Sequence, residues 1–147
     1  MIPIDQLYPV PVFGAVPSLS MTFAESISNP PQLAVKSFAP YKRFAVEIID
    51  DGLDTAGLLS GDYAIFREQG WPNDELQVVC VAFGNNVTIR ILEGIQMREP
   101  VLRTARDAVR EQRHRNDFIV LGVLDGIIKS DFVKFMELEE EAFDWGC

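Results

Sequence analysis

One histidine, His114, and two cysteines, Cys80 and Cys147, limit the chemistry this 147-residue chain can carry. A lone imidazole leaves no His-rich metal site and removes most Ser–His and Cys–His catalysis. The thiols lie far apart, the second at the last position, so they make neither a disulfide framework nor a zinc set. No metal and no cofactor is expected. Three charged groupings remain. Asp50-Asp51 offers carboxylates in a turn, in principle nucleophiles. Arg98, Arg103, Arg106, Arg110, Arg113 and Arg115 supply six of the 13 basic residues. They form either a solvated face with ordinary ion pairing or a patch for an acidic partner or for nucleic acid, with Arg103, Arg106, Arg110 and Arg113 as candidate binding residues. No aromatic residue for base stacking interrupts that segment. The end, Met136–Trp145, is acidic and holds Phe143 and Trp145. It reads as a solubilising tail, as a short docking peptide, or as a tail that folds back onto the arginines.

The elements that position these groups follow from patterning. Six of the nine prolines fall between Pro3 and Pro31, and Pro40 adds a seventh. Proline removes ladder donors and blocks helix, so residues 1–43 read as an irregular arm with short edge strands such as Val10–Ala15. Phe44–Ile49 and Tyr63–Arg67 read as strands separated by turns at Asp50–Gly52 and Ser60–Asp62. Leu76–Phe83, an almost unbroken apolar run, suits a buried strand. Gly84-Asn85-Asn86 is a hairpin turn into Val87–Leu92. Phe118–Ile128 is a further apolar run holding Gly122 and Gly126. Val101–Arg115 lacks Gly and Pro, and Val101, Leu102, Ala105, Ala108 and Val109 fall on one helical face, so a helix is expected there. The expectation is a mostly-β fold of short strands and hairpins with one helical insertion near 101–115. It divides into an arm (1–43), a domain (44–130) and an acidic tail (131–147).

Charge and hydropathy bound the setting. Asp and Glu number 22, for a net charge of −9. Such a surface repels phosphate overall, so direct nucleic-acid binding is not expected. The hydrophobic fraction, 48%, is enough for a real core. The start has no basic region and is broken by Pro3, Asp5, Pro9 and Pro11, unlike a signal peptide. No apolar run approaches the ~20 residues of a membrane helix. The sequence reads as a cytoplasmic protein with no membrane association.

Several segments together resemble the LexA-like self-cleaving peptidases, the group of LexA and phage repressor C-terminal domains and UmuD. Ala56-Gly57-Leu58 followed by Gly61-Asp62 matches the Ala-Gly-Ile and Gly-Asp of that family in type and spacing. Val87–Leu92 is similar to its Thr-Val-Lys-Arg-Leu strand. Val120–Ile128 is similar to its closing strand, and Val10–Val16 to the strand that enters its cleavage loop. The resemblance spans about residues 10–130 and implies a LexA C-terminal/signal-peptidase-like β-fold. It also places the catalytic dyad: the nucleophilic serine position falls on Gly52 and the lysine position on Arg90. Glycine has nothing to attack with, and arginine stays protonated and cannot take a serine proton. The family cuts at Ala-Gly or Cys-Gly, and this arm offers Gly14-Ala15 and Val16-Pro17-Ser18 instead.

A non-enzymatic protein is therefore expected. The resemblance implies a regulatory, protein-interaction module in the SOS response to DNA damage, or in prophage and transcription control. It would form a homodimer through Phe118–Ile128 or pair with a LexA-like repressor. Two alternatives are a UmuD-like accessory subunit of an error-prone DNA polymerase and a peptidase with a displaced nucleophile. Arg90 is expected either to pair with Asp50 or Asp51 across the old cleft or to point to solvent.

Overall fold

In the computed structural model, which describes residues 7–23 and 29–136, the strand-forming residues gather into a single mostly-β architecture. Its strands are β1 (Tyr8–Val16), β2 (Thr22–Phe23), β3 (Gln32–Val35), β4 (Arg43–Ile48), β5 (Tyr63–Arg67), β6 (Gln77–Phe83), β7 (Asn86–Glu93), β8 (Val101–Arg103), β9 (Arg110–Gln112) and β10 (Ile119–Ile128). The order across the sheet is β3-β1-β4-β5-β10-β6-β7-β8-β9, with β2 added beside β7. The ladders are antiparallel except β1 with β4.

The apolar run of β6 makes sense because both its faces are covered. Val78 and Cys80 enter one core cluster with Phe44, Val46, Phe66 and Ile89. Val79 and Val81 enter a second with Leu92, Leu102, Phe118 and Val123. Alternating side chains serve opposite faces, so a strand between two cores reads as continuously hydrophobic. A third cluster, with Val10, Val12, Leu33, Ala45 and Ile65, lies under the N-terminal strands. The β6–β7 hairpin closes at Gly84, which takes φ +62. Asn85 and Asn86 keep negative φ, so one of the three turn residues uses the left-handed region.

Two expectations are corrected by the backbone. Residues 101–115 are not a helix. They form the β8–β9 hairpin with short 3-10 turns at Ala105–Asp107 and Arg115–Asp117. Arg106 and Asp107 take φ of 56 and 55, which no α-helix tolerates. Thr104 Oγ1 accepts the Val109 amide at 2.9 Å and ties the two strands instead. β8 pairs with the edge of β7, so Val101 and Leu102 are buried as strand residues. The long-range ladder overrides local helix propensity.

The N-terminal strand is also more central than an edge strand. β1 lies between β3 and β4 and buries Val10, Val12 and Val16. Val12 N–H reaches Pro31 O on the β3 side at 2.9 Å. Strand alternation then turns Pro9 and Pro11 towards the other side, where pairing with β4 begins only at Val12. Their missing N–H groups cost nothing there.

Gly122 in β10 is explained from within the chain. A Cβ there would lie 2.9 Å from Arg67 O, Phe44 and Phe66, so the glycine lets β10 close on β4 and β5. It is not kept free for a second backbone.

Candidate functional site

β4 ends at Ile48, and the chain turns through Asp50–Gly52 directly beneath residues 17–20, the segment leaving β1. Asp50 organises this junction. Its carboxylate accepts the amides of Ser18 (3.0 Å), Leu19 (3.0 Å) and Gly52 (3.1 Å), and Ser18 Oγ also donates to it. Burial by itself would raise the Asp50 carboxyl. The bonds from Ser18 Oγ and the three amides outweigh it and hold the group below the ordinary carboxylate range. Asp51 is engaged as well, accepting the Ser60 amide at 2.9 Å.

Gly52 faces Ser18. A Cβ on Gly52 would collide with Ser18 Oγ and come within 2.8 Å of the Leu19 side chain. The space for a nucleophile side chain at this position is filled by the chain itself. Gly52 O accepts the Ala105 amide at 2.8 Å, which ties the β8–β9 segment to the same turn.

Arg90 approaches from β7. It shares a strand face with Thr88, and both are buried. Thr88 Oγ1 lies 2.9 Å from Pro17 O and 2.7 Å from Ser20 O. Arg90 Nη1 donates to Ser18 O and to Ile89 O, the latter at 3.1 Å. Gly52 and Arg90 thus meet on one residue, Ser18, one at its hydroxyl and the other at its carbonyl.

The expected Arg90–Asp50 ion pair is not formed, and Arg90 does not face solvent; it is 2% exposed. Asp50 is saturated by amides and Ser18, so the guanidinium takes backbone carbonyls. Its Nε has no partner among the described residues. Burial lowers the Arg90 pKa, and the fields of Glu111 and Asp50 act against that. An arginine so placed remains a cation and a donor. Ser18 Oγ donates to the Asp50 carboxylate, whose basicity these bonds depress.

The arginine candidates come together on the β7–β9 side, each against a carboxylate. Arg103 pairs with Glu93 at 2.9 Å and Asp107 at 3.8 Å. Arg110 pairs with the same two residues at 3.4 Å. Arg106 pairs with Asp54, and Arg113 with Glu111 at 2.9 Å. Phe143 and Trp145 lie outside the described residues. The sequence reading missed Ser18 and Thr88. The one signal was Ser18 following Val16-Pro17 at the end of a strand, where a loop must begin.

Two more features border this region. A cavity of about 540 Å³ opens beside β1 and is lined in part by Phe13, Phe23, Cys80 and Leu121. Burial pushes the Cys80 thiol up to about 12, so it is an inert wall group. On the cavity's rim, Leu121 is 38% exposed. Among the described residues, no helix is long and apolar enough to cross a membrane. No protein-family model matches the chain, and no curated protein matches it.

Proposed function

We propose that the chain is a catalytically silent LexA-like domain that works by protein interaction, as a regulatory module of damage-response or prophage control in the cytoplasm. The observation that carries the reading is the meeting of Gly52 and Arg90 at Ser18. The two positions that the resemblance assigns to a Ser–Lys dyad approach one backbone segment, and neither side chain can do the chemistry. The segment leaving β1, where the resemblance puts the scissile bond, is held in place by Asp50, Thr88 and Arg90 rather than presented for cleavage.

The dimer belongs to the same reading. The exposed side chain of Leu121, beside Phe13 and Phe23, gives β10 an apolar outer surface of the kind that marks association sites. Ile127 packs against the core and is not part of that surface.

The test uses the full chain. Held at alkaline pH, it should remain one species by intact mass, and light scattering at tens of micromolar should report a dimer. Leu121→Asp with Phe13→Ser should give a folded monomer. Gly52→Ser alone should stay uncut, because Arg90 cannot act as base; the clash with Ser18 should loosen residues 17–20 to limited proteolysis. Specific cleavage of the wild type within residues 14–30, or a sharp wild-type monomer, overturns the reading.

A further inference from the structure

The arginines divide unevenly between those with acceptors and those without. Arg43 donates to Ser37 O at 2.8 Å, Arg67 meets Asp125 at 3.3 Å, and Arg90 holds backbone oxygens. Arg103, Arg106, Arg110 and Arg113 are ion-paired. Arg98 and Arg115 are the two whose guanidinium groups have no acceptor among the described residues. Both are exposed, and both line one cavity of about 530 Å³.

The rest of that cavity is suited to an anion. The Arg115 guanidinium lies over the Trp71 ring, 4.2 Å from its centroid. The ring also stacks with Phe118, at 6.0 Å between centroids, and its Nε1 donates to Ile95 O at 3.2 Å. A guanidinium lying on an aromatic ring keeps its N–H edges free for a ligand and loses little freedom when one binds. His114 lines the same cavity. Its Nδ1 accepts the Asn116 amide at 3.1 Å, so in the neutral ring the proton sits on Nε2, a further donor. Among the described residues none that lines the cavity is acidic. Glu99 and Asp117, the neighbours of Arg98 and Asn116 in the chain, do not line it.

We infer that this cavity binds the phosphate group of a small phosphate monoester, clamped between Arg98 and Arg115 with His114 as a third donor. Two fixed positive charges match a group that carries about −1.5 to −2 at neutral pH. Its three terminal oxygens take more of the available N–H donors than the two of a carboxylate. Phe118 and the exposed Ile119 give an apolar wall for the organic part, and the volume suits a ligand larger than phosphate alone. A nucleic-acid strand is a poorer fit, because a polyanion would meet the repulsion of a chain with net charge −9. The site is separate from the Ser18 cleft and does not depend on how that cleft is read.

The test is titration of the full chain with phenyl phosphate and with inorganic phosphate, read by calorimetry and by Trp71 emission in a Trp145→Phe background. Saturable binding is expected, with inorganic phosphate the weaker and in the millimolar range. Arg98→Gln, on an exposed loop, and Arg115→Gln should each lower affinity about tenfold or more. Arg106→Gln, an exposed arginine outside the cavity, should leave it unchanged. Benzoate should bind at least about tenfold more weakly than phenyl phosphate. The proposal is overturned if binding does not saturate, if Arg98→Gln with Arg115→Gln binds as the wild type does, or if benzoate equals phenyl phosphate. It is also overturned if a synthetic peptide of residues 137–147 binds there and phosphate does not.

Discussion

Arg90 and the arginines of the β8–β9 hairpin carry the same guanidinium group, yet the protein places them in opposite environments. Arg90 is buried with no carboxylate in contact among the described residues and is satisfied, incompletely, by Ser18 O of the segment it secures, Thr88 Oγ1 and Ile89 O. Arg103 and Arg110 sit at the sheet margin, share Glu93 and Asp107, and remain partly in water. The difference teaches where a charge carries structural weight. A cation removed from water must have its donors met, and whatever meets them is held in turn. A cation at the margin exchanges water for a carboxylate at little net gain.

The largest expected effect comes from Arg90→Ala. It empties buried volume and strips donors from Ser18 O and Thr88, and should cost about 2–4 kcal/mol in denaturant unfolding. Arg90→Met refills the volume and removes the desolvated charge, so it should be clearly milder. Equal losses for the two would mean that the hydrogen bonds, rather than the packing, secure residues 17–20. If Arg90→Ala cost no more than Arg103→Ala, the contrast between the two regions would collapse.

A middle effect belongs to the carboxylates. Asp62, like Asp50, is pulled up by burial but held lower overall, by Lys129 and the Leu59 and Ser130 amides. Both folded-state values lie below the ordinary 3.8. Their stabilisation is therefore present above that value and is lost as pH falls through the depressed ones. Thermal scans should show stability nearly flat from neutral pH to about 5 and falling below about 4. Asp50→Asn should lower stability at neutral pH by about 1–2 kcal/mol, increase proteolysis at residues 17–20, and flatten part of that acid decline. An unchanged decline in Asp50→Asn would remove the carboxylate from the account of the cleft.

The smallest effect is at the margin. Arg103→Ala and Arg110→Ala should each cost within about 1 kcal/mol, less at high salt. A larger loss, insensitive to salt, would show that the hairpin relies on these pairs as the cleft relies on Arg90.

The strands legible in the sequence were those whose side chains declare two covered faces or one turn. β4, β5, β6, β7 and β10 emerged within a residue of their observed ends, and Gly84 marked its hairpin. The 101–115 segment misled because a run without Gly or Pro is locally indistinguishable from a helix. Its fate was settled by the free edge of β7, which no local pattern encodes. The prolines of β1 misled for the opposite reason, since their cost depends on which side of the strand lacks a partner. At the site, Gly52 and Arg90 were legible by position, but Ser18 was not. Its burial is imposed by Asp50 and Arg90, 32 and 72 positions away.

β10 joins β6 through Ile119–Val123 and β5 through Val123–Ile128. In the strand order it is the seam between the half built from β1, β3, β4 and β5 and the half built from β6 to β9, to which β2 adds beside β7. During synthesis the β4–β5 and β6–β7 hairpins can each form as they emerge. The sheet cannot close until residues 119–128 have left the ribosome, after every strand they join. Folding is then gated by one late, sequence-distant docking event, which slows it relative to its local hairpins. Until that event the two inner edges, on β5 and β6, stand open to each other and to any neighbouring chain.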